Sequence, residues 1–120
     1  MIWKFEFQSE TPLYLQLRNQ VVLSISAGEL KPGDRLPTIR ALSDESGINM
    51  MTISKAYQLL KSEGYVRTDR RSGTVIAPES RNPQPEALQK LRLALAELRL
   101  QGLKDAEILD FCRNYLKEEG

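Results

Sequence analysis

The spacing of apolar and polar positions between residues 49 and 64 is the central feature of the chain. Apolar residues recur at i, i+3, i+4 and i+7 along one side, while hydrogen-bond donors and positive charges without carboxylates occupy the other. Asn49 suits the N-cap of a helix, and Gly64 suits the left-handed residue that closes its last turn. The pattern predicts a helix whose buried stripe contains Ile53, Ala56, Tyr57 and Leu60. Its outward face would carry Met51, Ser54, Lys55, Gln58 and Lys61.

A helix with one buried face and one cationic, amide-rich face fits a DNA groove, but the same pattern is typical of an ordinary surface helix. The preceding segments therefore matter. Residues 3–7 alternate aromatic and charged side chains, which predicts a short strand or an extended arm. Thr11 as the N-cap, Pro12 at the first helical position and Gly28 as the end delimit a first helix. Its apolar stripe consists of Leu13, Leu17, Val21 and Ile25.

A turn and a short second helix connect that helix to residue 49. The Pro-Gly pair within residues 31–34 is typical of a turn, and residues 35–36 predict a very short strand. Pro37 begins a second helix that ends at Gly47, with Ile39 and Leu42 facing inward. Two short helices joined through a glycine-containing turn indicate a helix-turn-helix, in which the second helix enters the major groove.

Residues 65–77 predict a β-hairpin, because two segments rich in β-branched residues flank a turn-forming stretch. The turn carries two adjacent arginines, Arg70 and Arg71, followed by Gly73. One interpretation is a solvated surface turn. Directly after a recognition helix, however, the hairpin is also a candidate wing, whose arginines can contact phosphates or enter the adjacent minor groove.

The remaining residues predict a linker and a two-helix tail. Residues 78–85 contain three prolines among polar residues, which favours an extended, stiff segment. Two helices separated by Gly102 follow, and they are too short to bury a core of their own. They must pack either on the first domain or on a second copy, and the polar linker favours a homodimer through residues 86–118. The predicted interface residues are Leu88, Leu91, Leu95, Leu98, Ile108, Phe111 and Tyr115.

Composition excludes several classes of function. The 120 residues contain no histidine and a single cysteine, Cys112, so neither a catalytic histidine pair nor a zinc site can form, and we expect no enzyme activity and no cofactor. We expect no membrane segment, and a lone cysteine fits a reducing cytoplasm. The net charge of +1 gives weak support for nucleic acid, although residues 35–71 hold seven basic and four acidic residues, a local charge of +3.

Four stretches of the chain resemble the winged helix-turn-helix domain of the GntR family of bacterial transcription regulators. They are PLYLQLRNQV, ELKPGDRLPTIRALSDESGIN, TISKAYQLLKSEGYV and RRSGTVIA, and the resemblance is continuous over residues 10–77. The short two-helix tail and the N-x-x-T-[VI]-x-[KR]-A-Y pattern resemble the YtrA subfamily, in which a small helical appendage serves dimerisation. The resemblance implies a DNA-binding regulator of genes near its own, and favours a repressor.

The resemblance also implies which residues contact DNA. The matched positions are Arg40, Asn49, Thr52, Lys55, Arg70, Arg71 and Gly73, and Met50, Met51 and Ser54 complete the predicted set. Met50 and Met51 depart from the Pro-Asn that the subfamily often has. A methionine can only touch a thymine methyl or pack on sugar. The wing, R-R-S-G, is also less glycine-rich than usual, so both departures bear on which sequence is preferred.

Two of these positions have alternative interpretations. Arg40 can bond a phosphate, or it can form a salt bridge with Asp44 one helical turn away. Thr52 can donate to a phosphate at the positive end of the helix, or it can merely support the helix start. Lys55, one turn further on, can reach guanine acceptors or a phosphate.

The sequence therefore predicts a mainly α protein with a small β-hairpin (α+β), a winged helix-turn-helix followed by a two-helix dimerisation appendage. Its regions are a DNA-binding domain (1–77), a linker (78–85) and a dimerisation tail (86–120). We expect a homodimeric, cytoplasmic regulator that binds a pseudo-palindromic operator in double-stranded DNA, with helix 49–63 in the major groove and wing 65–77 alongside. The alternative is a winged helix that binds another protein. A small-molecule effector, if one exists, would bind at the dimer interface or the linker.

Overall fold

The computed structural model describes residues 2–119, so Met1 and Gly120, the outer limits of the predicted regions, lie outside the described residues. Five helices and one antiparallel hairpin form two compact units, Met1–Glu79 and Ser80–Gly120. The first unit contains α1 (Leu13–Ser26), α2 (Ile39–Ser46), α3 (Met50–Ser62), β1 (Val66–Asp69) and β2 (Gly73–Ile76). The second unit contains α4 (Pro85–Leu100) and α5 (Asp105–Glu119). The mainly α fold with a small hairpin is thus confirmed.

Asn49 caps α3 as predicted, by accepting from the Met51 N–H at 2.7 Å. The predicted start of the second helix at Pro37 is wrong, because Thr38 is the N-cap, accepting from the Ala41 N–H at 3.1 Å, and α2 begins at Ile39. The prediction of Thr11 as the cap of α1 is wrong. Pro12 holds that position, and its carbonyl accepts the first helical bonds, because its ring fixes a backbone conformation that starts the helix without a side-chain cap.

One hydrophobic core joins all elements of the first unit. The four predicted stripe residues of α3 are buried, with Ile53, Ala56 and Leu60 fully so. Ile39 of α2 is half-buried rather than buried, because it lies in the first turn of its helix at the edge of the core. The buried core residues are Leu17, Val21, Leu36, Leu42, Ile48, Ile53, Ala56, Tyr57, Leu60, Val66 and Ile76.

The hairpin is connected to the loop before α2 by an isolated β-bridge. β1 and β2 pair with Val66 opposite Ile76 and Asp69 opposite Gly73. Arg35 forms an antiparallel bridge with Val75, flanked by a hydrogen bond of 2.9 Å from the Leu36 N–H to the Thr74 carbonyl. The predicted strand at residues 35–36 is therefore present as a bridge, and it holds the hairpin on the core.

The N-terminal arm is extended but forms no strand. Its backbone is held by two glutamines one turn apart on α1. The Glu6 N–H donates to Gln16 Oε1 at 2.9 Å and the Gln16 amide donates back to the Glu6 carbonyl at 3.0 Å. Gln20 makes the equivalent pair of bonds with the backbone of Lys4. These side-chain amides satisfy the backbone hydrogen-bonding groups of Lys4 and Glu6, as a neighbouring strand would.

The tail unit buries far fewer hydrophobic residues than the first unit. α4 begins at Pro85, one residue before the predicted start of the tail, and ends near Gly102, whose φ of 96° suits glycine. Arg99 and Asp105 connect the two helices through bonds of 2.9 and 3.0 Å, which raise the pKa of the Arg99 guanidinium. In this unit the one buried hydrophobic residue among those described is Ile108.

Candidate nucleic-acid interface

The helix that would enter DNA is held at its middle and at its end. At its middle, the Tyr57 hydroxyl donates to the Pro37 carbonyl at 2.8 Å, and burial raises the pKa of this hydroxyl. Near its end, Glu63 accepts two bonds from the Arg18 guanidinium, at 2.9 and 2.7 Å, and these bonds raise the pKa of Arg18. The same guanidinium lies 5.7 Å from the Tyr65 ring, at the beginning of the hairpin. The orientation of α3 is therefore set by α1 and by the loop before α2.

Two serines shape the turn between α2 and α3. Ser43 Oγ donates to the Ile48 carbonyl at 2.6 Å, and Ser46 Oγ donates to the Leu42 carbonyl at 2.6 Å while accepting from the Ile48 N–H at 3.2 Å. Gly47 supplies the left-handed conformation, with φ of 77°. Neither serine is among the predicted residues, although serines at a helix end commonly bond backbone groups.

The start of α3 is more completely hydrogen-bonded than the sequence predicts. Asn49 accepts from Met51 through its side chain, and its carbonyl accepts from the N–H groups of Thr52 and Ile53 at 3.0 and 3.2 Å. A phosphate at this helix end would therefore meet few N–H groups without an acceptor. The positive end of the helix dipole remains, together with the half-buried Thr52 hydroxyl.

The outward face of α3 is exposed as predicted, and two methionines dominate its first turn. Met51 is 80% exposed and Met50 is 46% exposed. Lys55 is also exposed, and Ser54 is half-buried. Gln58 Nε2 approaches Ser54 Oγ at 3.5 Å. This face combines apolar, amide and cationic groups and carries no carboxylate.

Lys55 makes a contact that the sequence analysis missed. Its ammonium nitrogen lies 4.0 Å from the centroid of the Tyr14 ring on α1, a cation–π geometry. The contact joins two helices that are about forty residues apart in the chain, so no local spacing signals it. It holds the charge of Lys55 at the junction between α1 and α3.

The remaining predicted cations lie on α2 and on the hairpin turn. Arg40 is exposed, and within residues 2–119 it forms no ion pair with Asp44. The hairpin turn is ordered by Asp69, whose Oδ1 accepts from the backbone N–H groups of Arg71 and Ser72 at 2.8 and 3.3 Å. This bonding leaves the arginine side chains at the tip exposed.

The charge balance of these residues favours an anionic partner. The ion pairs within the described part of the chain join Arg18 to Glu63, Arg99 to Asp105 and Arg113 to Asp110. None of the predicted DNA-contacting cations takes part in them. These cations are Arg40, Lys55, Arg70 and Arg71. Exposed cations without carboxylate partners can pair with phosphate at little cost in lost contacts.

The predicted interface residues of the tail differ in exposure. Leu88, Leu91, Phe111 and Tyr115 are exposed by 47–57%, and the rings of Phe111 and Tyr115 stack at 6.2 Å. Leu95 and Leu98 are half-buried. Ile108 is only 5% exposed, which removes it from the surface that a partner can reach, because it packs inside the protomer.

Two further classes of site are absent from the described residues. Residues 2–119 contain no helix that is long and apolar enough to cross a membrane. Nor do they bring together three or more cysteine or acidic side chains that could hold a metal ion.

Together, the two helices, the bridged hairpin and the short helical tail define a winged helix-turn-helix protein with a two-helix appendage. The family model described as "Bacterial regulatory proteins, gntR family" matches residues 13–76. The chain belongs to the GntR family, and its relatives support the YtrA-like subfamily.

Three comparisons give the extent of this similarity. The HTH-type transcriptional repressor YtrA of Bacillus subtilis (strain 168) is 39% identical over 74 residues, covering 62% of this chain and 57% of that protein. The structure of YtrA from Sulfolobus acidocaldarius, a GntR-family transcription factor, is 35% identical with a TM-score of 0.70, and covers 83% of this chain and 99% of that one. AraR(DBD) in complex with operator ORX1 is 27% identical with a TM-score of 0.55, over 62% and 93% of the two chains.

The matched region is only part of most curated relatives. It spans about three fifths of the length of several of them and 14% of another. The similarity is therefore concentrated in the winged helix-turn-helix.

Proposed function

We propose that this chain is a sequence-specific DNA-binding transcriptional regulator, acting as a homodimeric repressor. The observation that carries the proposal is the carboxylate-free outward face of α3 on a helix that is held at its middle by Tyr57 and at its end by Glu63. A recognition element must present its side chains in one orientation, because misplaced hydrogen bonds to base edges gain little.

The proposed DNA contacts divide by chemistry. Arg40 and the arginines of the hairpin turn, Arg70 and Arg71, would pair with phosphates or enter the minor groove, which fixes register and contributes salt-dependent affinity. Lys55 would reach a guanine or a phosphate from the major groove. Gly73 allows the hairpin turn to close, because its φ of 75° is a left-handed conformation that suits glycine. The structure of the similar AraR domain in complex with operator ORX1 supports DNA as the partner.

The proposed dimer rests on the tail. Leucines and aromatic rings on α4 and α5 remain about half exposed, and burying each large apolar side chain fully is worth about 1.5–3 kcal/mol. A symmetric pair of tails would bury the same surface twice. Two recognition helices related by a two-fold axis would then bind half-sites about one helical turn apart, which gives a pseudo-palindromic operator.

A selection from random duplex DNA tests the proposal, with the enriched pool titrated at several salt concentrations. We expect a two-fold-symmetric motif. If four cations per protomer contact phosphates, the dimer neutralises eight phosphates. The logarithm of the association constant should then fall with log[salt] with a slope of about −7. A control protein with all four cations changed to glutamine should retain its fold and lose most of this slope.

The competing function is a winged helix that binds another protein, and the exposed apolar Met51 is the observation that favours it. The selection separates the two. Absence of any enriched motif, together with weak binding of all duplexes alike, would contradict the regulator and favour the protein partner.

A further inference from the structure

The first turn of α3 exposes apolar side chains where a recognition helix meets base edges. In helix-turn-helix proteins the N-terminal residues of the second helix contact the bases. Here these residues are Met50 and Met51, which are 46% and 80% exposed. Within the described part of α3 they are the exposed large hydrophobic residues, whereas Ile53, Tyr57 and Leu60 are buried in the core and Leu59 is half-buried.

The two methionines belong to the same surface as the polar residues of the helix. Met51 precedes Ser54, Lys55 and Gln58 by three, four and seven positions, so all four share one face. The Met51 backbone N–H is bonded to the Asn49 side chain, which fixes the start of this face. Any surface that binds the polar residues will therefore also cover Met51.

Methionine cannot recognise the hydrogen-bonding pattern of a base pair. Its thioether has no donor hydrogen and is only a weak acceptor. The major groove displays one apolar group, the 5-methyl of thymine, which makes thymine the base that an apolar side chain can distinguish. A flexible thioether chain also adapts its shape to a methyl group better than a branched side chain does.

We infer that Met50 and Met51 form an apolar recognition patch that selects thymine in each half-site of the operator through contact with its 5-methyl group. The inference rests on the proposed DNA-binding function and adds a specific base preference to it. Packing of the methionines on deoxyribose, the other apolar contact open to them, would give affinity without base preference.

Replacing thymine by deoxyuridine isolates the methyl group, because uracil keeps every hydrogen-bonding group of thymine. The operator obtained by selection is resynthesised with a single thymine replaced at each position in turn, and the affinity of the full-length protein is measured at constant salt. At one or two positions per half-site we expect the wild-type protein to bind about fourfold more weakly, the effect of losing one buried methyl.

Variants identify the residues responsible. The double variant Met50→Ala, Met51→Ala should bind thymine and uracil operators equally at those positions. Gln58→Ala is the matched control, since it truncates another exposed side chain of the same face and should retain the full thymine preference. Both methionines are on the surface, so circular dichroism and the unfolding midpoint should match those of the wild type.

The outcomes separate this inference from the function on which it rests. A selected operator whose affinity is insensitive to uracil at every position would overturn the thymine preference and leave the regulator intact. A preference that persists unchanged in the double methionine variant would also overturn it, by assigning the methyl contact to another residue. Failure to select any operator would overturn both.

Discussion

The winged-helix unit and the helical tail use regularly spaced apolar residues in opposite ways. Of the buried hydrophobic residues in the described chain, twelve lie in the first unit and one, Ile108, lies in the tail. The large exposed hydrophobic residues are distributed the other way, with five in the first unit and eight in the tail. Three helices and a hairpin can enclose a core, whereas two helices present only one side to each other. The tail therefore has the apolar pattern of a structure that is completed by another surface.

The largest effect is expected when the exposed apolar surface of the tail is made charged. In the proposed symmetric dimer, Phe111→Glu would place two carboxylates in the interface and remove two rings, and we expect dimerisation to weaken at least about 100-fold. Sedimentation velocity at micromolar concentration measures this directly. The thermal unfolding of the winged-helix unit should be unchanged.

Lys117→Glu is the control for this experiment, because it adds the same carboxylate at an exposed polar position on a different side of the same helix. It should leave the dimer intact. A Phe111→Glu protein that remains dimeric would contradict a dimer built on this face of the tail.

The second test compares equivalent truncations in the two units. Leu60→Ala removes a fully buried side chain from the first core and should lower the free energy of unfolding by about 2–5 kcal/mol. Leu91→Ala removes a side chain that is 52% exposed, and should leave the stability of the first unit unchanged. Urea unfolding followed by the fluorescence of the single tryptophan, Trp3, reports on the first unit. Equal losses for both variants would mean that the units unfold together.

The contrast also shows which parts of the structure follow from the sequence. The buried stripe of α3, its Asn49 cap and the hairpin were all predicted, because helical periodicity, capping and turn chemistry act between residues close in the chain. The same holds for Gly47 and Gly64, whose positive φ values end or follow helices. These local rules suffice to identify a winged helix-turn-helix.

The remainder depends on contacts between distant residues. The bonds from Gln16 and Gln20 to the N-terminal arm, and those from Arg18 to Glu63, join segments whose proximity no local pattern encodes. Thr11 failed as a cap because Pro12 takes the N-cap position, where no side chain bonds the first N–H groups. The assignment of individual residues to DNA contact stays a prediction, since a side chain's exposure and charge do not determine the base that it meets.

The third test uses the tyrosine that the first unit buries. Burial raises the pKa of Tyr57, so the folded state keeps the proton more tightly than the unfolded state, whose tyrosines titrate near pH 10. This contribution to stability is complete below about pH 10 and is lost progressively as the pH rises above it. Urea midpoints at about pH 8 and pH 11 should therefore differ in the wild type.

The variant Tyr57→Phe should reduce this difference between the urea midpoints at the two pH values. At neutral pH it should cost about 1 kcal/mol, because the Pro37 carbonyl loses its donor. Tyr115→Phe, in the tail where the ring is 57% exposed, is the matched variant and should retain the alkaline loss of the wild type. An unaltered alkaline profile in Tyr57→Phe would assign the titration to another group.

The smallest expected effect concerns the contact between Tyr14 and Lys55. The Lys55 ammonium nitrogen lies 4.0 Å from the centroid of the Tyr14 ring. An exposed cation–π pair is worth about 0.5–1 kcal/mol, so Tyr14→Leu should weaken operator binding by about two- to fivefold if the ring orients the ammonium for DNA. Tyr14→Phe keeps the ring and should bind as the wild type does.

Lys55→Ala should lose more binding free energy, about 1–3 kcal/mol, if the lysine contacts a base. In the Lys55→Ala background, Tyr14→Leu should have no further effect on binding, and an additive loss would show that Tyr14 acts on DNA independently of Lys55.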